Sequence, residues 1–193
     1  MKKFTVVTML LLALNAMANI QYVESTGAQY IQTGVAYTNT LRIVADFEFT
    51  QIPSGNAIAN VVAWRSTGSK EAIACGSTYY SGAQYFCSQF SDSSAYKRAA
   101  IKTDTNRHVF DIQNGSQKLD GVQFGTDMLT IPSSSGSLYV FCSNIGWSNG
   151  GVNYADFSSI RLYSCKIYVG DELIRDYIPY AKDGVAGLYD KVG

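Results

Sequence analysis

The chain has 193 residues, of which 47% are hydrophobic and 16% are charged, a composition that excludes an intrinsically disordered protein. Its length is enough for one domain with a hydrophobic core. The 15 basic and 15 acidic residues balance, and no basic cluster follows the first residues, which argues against nucleic acid as a partner. The 14 Tyr, 17 Gly and only 3 Pro favour an all-β fold with many turns.

Residues 1–18 are typical of a secretory signal peptide. Two lysines begin the segment, an apolar stretch follows, and an Ala-Met-Ala motif fits the cleavage site. The apolar stretch is short for a membrane span. We therefore expect a helical leader, a mature domain at 19–193 without a membrane span, and a secreted, periplasmic or cell-surface location. An uncleaved membrane anchor is the alternative.

The mature chain contains strand-like runs about every ten residues, separated by turn signals. In "LRIVADFEFT" every second residue is apolar, which places these side chains on one strand face: Leu41, Ile43, Ala45, Phe47 and Phe49. Asn114-Gly115 and Asp120-Gly121 predict two successive hairpin turns. Because so many short antiparallel strands need two faces to bury, we predict two packed sheets.

All four cysteines lie in the mature chain, and an even number in an exported protein favours disulfides. Four cysteines allow three pairings. A predicted hairpin places Cys75 opposite Cys87, and two strands around a Gly/Asn loop place Cys142 near Cys165, so these two pairs are the candidates. The alternative is four buried thiols that act as small apolar residues. No Cys-x-x-Cys motif is present, and we expect no zinc site.

Four segments together resemble a known domain type. They are the ending "YSCKIYVGDELIRDYIPYAKDGVAGLYDKVG", the opening "YVESTGAQYIQTGV", the central "RHVFDIQNGSQKLDGV" and the early strand "VVAWRST". They are similar to bacterial domains of the concanavalin A-like lectin/glucanase superfamily, near its laminin G-like branch. The likeness covers nearly the whole mature chain, and its motifs indicate the domain type rather than an activity. It implies a jelly-roll sandwich of two curved antiparallel sheets, with the N- and C-terminal strands side by side.

Enzymes of this superfamily cleave glycans, and its hydrolases use paired carboxylates on one strand face. Asp46 and Glu48 share a face, but the third acid of the hydrolase motif is absent, so we interpret them as part of a solvated strand face. His108 is the only histidine, and we interpret it as structural. No catalytic residue and no cofactor is predicted. No loop has the acid spacing of a single-loop calcium site, and calcium bound by several loops is left open.

Sugar recognition needs aromatic rings for the C–H face of a sugar and polar groups for its hydroxyls. The segment 143–158 has this mixture between two predicted strands, and "STYYSG" is a second candidate. The candidate ligand-binding residues are Trp147, Asn149, Asn153, Tyr154, Tyr79 and Tyr80. The alternative is a Trp folded over the sheet edge, with Asn and Gly forming turns.

We therefore predict an exported, non-catalytic binding or adhesion domain whose ligand is a carbohydrate. A structural or assembly subunit of the cell surface, with sandwich edges that bind protein, is the first alternative. A glycan-cleaving enzyme of the same fold is the second. The expected partner is a glycan or a cell-surface protein, and the sequence does not fix the oligomeric state.

Overall fold

The computed structural model describes residues 20–65, 72–91, 96–130, 133–144 and 154–193, with the backbone alone at 133–135. The predicted signal peptide lies outside these ranges. The described residues form strands and turns and contain no helix. The predicted all-β fold class is confirmed.

Sixteen strands follow one another along the described chain. In chain order they are β1 Val23–Thr26, β2 Ile31–Thr38, β3 Leu41–Phe49, β4 Ala59–Arg65, β5 Ala72–Tyr80, β6 Ala83–Ser91, β7 Lys97–Lys102, β8 Arg107–Gln113, β9 Ser116–Leu119, β10 Val122–Gly125, β11 Ser133–Val140, β12 Ser143–Asn144, β13 Tyr154–Ala155, β14 Ser159–Val169, β15 Glu172–Lys182 and β16 Val185–Asp190. All the described strand pairs are antiparallel.

The strands form two large sheets and one small one. An eight-stranded sheet has the order β10-β9-β8-β3-β14-β15-β16, with β1 added beside β14. A six-stranded sheet has the order β2-β11-β4-β5-β6-β7, and β12 and β13 form a two-stranded ribbon. The predicted turns at Asn114-Gly115 and Asp120-Gly121 join β8 to β9 and β9 to β10. The two large sheets pack face to face as a β-sandwich.

Aromatic rings fill the centre of the sandwich. In β3 the burial pattern alternates through the whole strand, as the sequence predicts, and Phe47 and Phe49 point into the core. Phe86 enters from the six-stranded sheet, and Phe110 stacks on Phe47 at 5.1 Å. These four residues, each at most 1% exposed, are called the phenylalanine cluster below. The cluster joins the two sheets.

The N-terminal and C-terminal strands belong to the same sheet, but they do not pair directly with each other. Beside β14, β1 pairs with residues 159–162 and β15 pairs with residues 165–169, so the two strands follow one another along the same edge. The last strand, β16, pairs with β15. The N-terminal strand therefore bonds to β14 rather than to the final strand.

The predicted Cys75–Cys87 disulfide is not formed, because the hairpin register is offset by one residue. Cys75 lies opposite Ser88, and Cys87 lies opposite Gly76. Since directly opposed residues share a sheet face and neighbours alternate, the two thiols point to opposite sides of the six-stranded sheet. Cys75 belongs to the core, whereas Cys87 is on the outer face. Both are free, buried thiols.

The predicted Cys142–Cys165 disulfide is also absent. Cys165 lies on β14 and faces the core between the sheets. Cys142 follows β11, where the preceding Phe141 takes the core position and Cys142 lies near Asp156. The structure thus contains four buried free thiols, the alternative that the sequence left open. Burial raises the pKa of the Cys75 and Cys142 thiols to about 12 each, which keeps them protonated and unreactive.

Candidate functional site: a tyrosine cluster beside β2

Three tyrosines from distant parts of the sequence meet at the β2 edge of the six-stranded sheet. Tyr30 directly precedes β2, Tyr139 lies on β11, and Tyr154 begins β13. We call these residues the tyrosine cluster. Tyr139 is on the outer face of the sheet because its neighbours, Leu138 and Val140, both point into the core.

The three rings contact one another in a compact arrangement. Tyr30 and Tyr154 are stacked, with ring centroids 3.9 Å apart and an interplanar angle of 30°. Tyr139 meets Tyr154 edge-on at 5.5 Å and Tyr30 edge-on at 6.1 Å. Such offset and edge-to-face contacts are favourable, so each ring restricts the rotation of the others.

Exposure increases from the base of the tyrosine cluster to its tip. Tyr139 is buried, Tyr154 is half-buried, and Tyr30 is 43% exposed. The pKa of Tyr154 is raised well above its usual value, first by a hydrogen bond with Tyr30 and then by burial. The Tyr154 hydroxyl therefore remains a neutral hydrogen-bonding group throughout the physiological pH range.

Polar groups border the rings on the same face of the sheet. Gln32 lies directly opposite Tyr139 across the β2–β11 pair. Its side-chain amide is exposed and donates a 3.3 Å hydrogen bond to the hydroxyl of Ser137. On the other side, Tyr139 lies opposite Ala63, whose small side chain adds little bulk beside the ring. The side-chain amide of Gln32 therefore lies on the strand next to Tyr139, beside the rings of the cluster.

A network around Asp156 fixes the strand that carries Tyr154. The Asp156 carboxylate forms an ion pair with Arg65 at 3.1 Å and accepts a 3.0 Å hydrogen bond from Ser143. The backbone carbonyl of Asp156 accepts a 2.8 Å hydrogen bond from the Asn60 amide nitrogen. These contacts tie β13 to β4 and hold Tyr154 two residues away.

Two buried polar atoms in this region have no hydrogen-bond partner among the described residues, the side-chain oxygen of Asn60 and the hydroxyl of Tyr96. Burial raises the pKa of Tyr96 to about 12, although the nearby charge of Arg65 acts in the opposite direction. The region between the Asp156 network and the outer face of the six-stranded sheet is therefore polar. Two of its buried hydrogen-bonding groups have no partner among the described residues.

Of the candidate residues from the first loop, Tyr154 alone can be placed. It joins the tyrosine cluster, whereas Trp147, Asn149 and Asn153 lie outside the described residues. Asn144 pairs with Tyr154 in the β12–β13 ribbon, and the other three candidates lie in the chain between these two strands.

The second pair of candidates lies elsewhere. Tyr79 and Tyr80 end β5 and are 39% and 52% exposed. The guanidinium group of Arg98 lies 3.7 Å above the Tyr80 ring, an arrangement typical of a cation–π contact. The structure therefore places the three described candidates, Tyr154, Tyr79 and Tyr80, in two separate regions.

Sequence reasoning missed Tyr30 and Tyr139. The alternation in "SLYVF" puts Tyr139 on the face opposite Leu138 and Val140, and that signal was available. The pairing of β11 with β2, which brings Tyr139 to the edge beside Tyr30, connects residues more than 100 positions apart. Only the fold brings the three rings together.

The strand acids Asp46 and Glu48 form ion pairs on the outer face of the eight-stranded sheet. Arg107 donates two hydrogen bonds of 2.7 Å to Asp46, and Arg161 donates one of 2.9 Å to Glu48. Arg161 also pairs with Glu24 on β1. Carboxylates held by guanidinium groups in this way favour the interpretation of a solvated, charge-paired face.

His108 is held between two carboxylates. Its Nδ1 lies 2.6 Å from Asp120, and its Nε2 lies 3.0 Å from Asp104. Burial against Phe86 would lower the pKa of His108, but the hydrogen bonds to Asp120 and Asp104 outweigh it and raise the pKa. The histidine links β8 to the two turns that carry these acids.

Two further properties follow from the described part of the chain. No group of three His, Cys, Asp or Glu side chains comes together there in a way that could hold a metal ion. Within the same residues, no helix has the length and apolar character needed to cross a membrane.

Comparison with solved structures finds a likeness for this chain. No protein-family model and no curated protein matches the chain. Among solved structures, it is similar to domain 4 of AbnA, a GH43 extracellular arabinanase from Geobacillus stearothermophilus, in complex with arabinotriose. The identity is 14%, the match covers 76% of this chain and 73% of that one, and the TM-score is 0.44. Values this low carry no inference about function.

Proposed function

We propose that this chain is an exported, non-catalytic carbohydrate-binding domain and that the tyrosine cluster is its sugar-contacting surface. The proposal is carried by the exposed Tyr30 ring, stacked on Tyr154 and backed by the buried ring of Tyr139. Sugar rings present C–H faces that pack on aromatic rings, and an aromatic ring supported in this way is open to such contact.

The arrangement of the cluster lowers the cost of binding. Because the three rings already contact one another, a sugar would immobilise few additional side-chain rotations. The hydroxyls of Tyr30 and Tyr154 and the amide of Gln32 provide donors and acceptors for sugar hydroxyls. Apolar contact and directional hydrogen bonds are thus available on one small surface.

The charge at the site favours an uncharged saccharide. Arg65 and Asp156, the charged side chains of the network that holds Tyr154, neutralise each other in an ion pair. A uronic acid or a sulfated glycan would gain little from such a pair, since neither charge is free to contact it. We therefore infer that the ligand is a neutral polysaccharide or oligosaccharide.

Export of the mature domain at 19–193 is part of the same proposal. The N-terminal 18 residues have the sequence of a signal peptide, which supports a secreted, periplasmic or cell-surface location. The free thiols do not oppose it, because burial raises their pKa and keeps them away from oxidants. The domain binds its glycan outside the cytoplasm.

The test is a glycan array that includes neutral plant, fungal and bacterial polysaccharides, probed with the mature chain. We expect binding to at least one neutral glycan and a loss of about tenfold or more in affinity for Tyr30→Ala. Tyr189→Ala is the matched control, because Tyr189 is 53% exposed on β16 and also contacts another tyrosine.

The result separates the proposal from its alternatives. Trp147→Ala, prepared in parallel, reports whether the segment 143–158 also contacts the ligand. Absence of binding by correctly folded protein across the whole array would overturn the proposal. Release of oligosaccharide products from any polysaccharide in the panel would show an enzyme instead.

A further inference from the structure

An open surface continues from the tyrosine cluster along β2, the edge strand of the six-stranded sheet. Side chains alternate along this strand, and Val35 and Tyr37 point into the core. The residues that point outward are Gln32, Gly34, Ala36 and Thr38, of which the first three are exposed. We call these four residues the β2 floor.

The β2 floor is low, because its middle carries almost no side chain. Gly34 has a φ of +71°, which favours glycine, and it lies where the register between β2 and β11 shifts. Ala36 lies opposite Ser137 and adds only a methyl group. A ligand that lies on Tyr30 therefore meets no large side chain of β2 as it extends along the strand.

The β2 floor is also uncharged. Neither β2 nor β11 contains an acidic or basic residue. Arg175 approaches from β15, where its Nη2 lies 3.8 Å from the position of a Cβ on Gly34, but its guanidinium is paired with Asp190 at 3.3 Å. A surface of this kind suits a neutral ligand, since an ionic group would lose water without gaining a free partner.

Neutral hydrogen-bonding groups lie at both ends of the β2 floor. Beside the tyrosine cluster, the amide of Gln32 is bonded to the hydroxyl of Ser137. At the far end, the hydroxyls of Thr38 and Thr40 lie 3.1 Å apart and are exposed. Each hydroxyl both donates and accepts hydrogen bonds, as sugar hydroxyls do.

The surface is long compared with one sugar ring. Tyr30 directly precedes β2 and Thr38 ends it, so at the rise of an extended strand the two lie roughly 25 Å apart. Exposed residues continue past both ends, at 28–29 and at 39–40. A chain-like ligand can therefore enter at one end and leave at the other.

We propose that the tyrosine cluster and the β2 floor form one elongated site, and that its ligand is an internal stretch of a linear, neutral polysaccharide. This inference rests on the proposed function and extends it from a single contact surface to the length of the ligand. One sugar packs on Tyr30, and the following sugars lie along the β2 floor toward Thr38.

An elongated site makes affinity depend on the length of the ligand. Once one sugar is held at Tyr30, the next sugars reach the β2 floor without a second loss of overall translational and rotational freedom. Each sugar that covers the floor adds contacts, so affinity should rise with chain length until the floor is occupied.

The probes are di-, tetra- and hexasaccharides of cellulose, xylan and mannan, with the same series cut from any other neutral glycan that binds on the array. They are titrated into the mature chain and followed by calorimetry. We expect a hexasaccharide to bind at least about tenfold more tightly than the disaccharide of the same glycan. Tyr30→Ala should weaken the binding of both.

Ala36→Ile separates the β2 floor from the tyrosine cluster. A β-branched side chain is stiff and suits a strand, so this variant should fold and raise an apolar branch above the floor. We expect hexasaccharide affinity to fall about tenfold, whereas disaccharide affinity stays unchanged. Ala186→Ile is the matched control, because Ala186 is also an exposed alanine on an edge strand, β16 of the other large sheet.

Thr38→Val tests the far end of the site. The change replaces a hydroxyl by a methyl group of similar shape and removes one hydrogen-bonding group. We expect hexasaccharide affinity to fall by about twofold to tenfold, the range for one hydrogen bond, and disaccharide affinity to stay the same.

The outcomes distinguish this inference from the proposed function on which it rests. Equal affinity for the disaccharide and the hexasaccharide would refute the elongated site and leave the tyrosine cluster as a site for a single contact. Undiminished hexasaccharide binding in Ala36→Ile, or an equal loss for both lengths, would also refute it. If no length of any glycan binds and the array is blank, both proposals are wrong.

Discussion

The phenylalanine cluster and the tyrosine cluster are both groups of aromatic rings, yet their surroundings give them opposite roles. Phe47, Phe49, Phe86 and Phe110 are at most 1% exposed and lie between the two large sheets. In the tyrosine cluster, burial decreases from Tyr139 to Tyr30, and the hydroxyls remain available. Rings in the first group join the sheets, whereas the second group keeps the ring of Tyr30 exposed to solvent.

The difference shows how one sandwich separates stability from recognition. Burying a large aromatic side chain removes much apolar area from water, so the phenylalanine cluster stabilises the fold. Exposing Tyr30 gives up part of that gain and leaves a surface that a ligand can cover. Substitutions in the two clusters should therefore affect different measurements.

The largest expected effect is on stability, in the phenylalanine cluster. Phe47→Ala leaves a cavity among the three remaining rings of the cluster, so we expect the free energy of unfolding to fall by about 3–5 kcal/mol. Chemical denaturation followed by tryptophan fluorescence measures this change. A loss below about 1 kcal/mol would mean that the rings do not join the sheets as described.

A smaller loss of stability is expected from a substitution at Gly76, a residue that the sequence analysis did not single out. A side-chain carbon at Gly76 would collide with the backbone carbonyl of Ala59 on the neighbouring strand. Since that strand cannot shift without disturbing the β4–β5 pair, Gly76→Ala should destabilise the fold by about 1–3 kcal/mol. Gly187→Ala is the comparison for steric crowding, because nothing lies within 4 Å of its position and its backbone does not adopt a positive φ. Thermal unfolding of both variants tests whether the crowded site loses more.

A smaller, pH-dependent effect is expected at His108. Because its pKa is raised in the folded protein, its contribution to stability is present in full below its ordinary pKa of 6.5 and is lost as the pH rises through the folded value. We expect His108→Gln to cost about 1 kcal/mol at pH 6, since both partner acids are partly exposed, and less at pH 9.

Denaturation of native protein and His108→Gln across that pH range supplies the check. A difference that is constant with pH would show that the histidine contributes by packing against Phe86 and not by its charge.

The sequence predicted the parts of this fold that depend on neighbouring residues. Alternation in β3 identified the inward face that holds Phe47, because side chains in a strand change face at every residue. The Asn114-Gly115 and Asp120-Gly121 turns were also correct, since these dipeptides accept the backbone angles of tight hairpins.

Predictions that depended on register or on distant contacts were less successful. The Cys75–Cys87 hairpin was correct, yet an offset of one residue places the thiols on opposite faces, so no disulfide forms. The tyrosine cluster was found only in part, because Tyr30 and Tyr139 join Tyr154 through strand pairing over long sequence distances. Neither register nor long-range pairing can be read from local alternation.

The most direct test of the account is a titration with a neutral glycan that binds on the array, using native protein, Tyr30→Ala and Tyr189→Ala. We predict that Tyr30→Ala weakens binding by about tenfold or more while the free energy of unfolding changes by about 1 kcal/mol or less. Tyr189→Ala should change neither. Unchanged affinity in Tyr30→Ala, or an equal loss in Tyr189→Ala, would contradict the assignment of the tyrosine cluster as the binding surface.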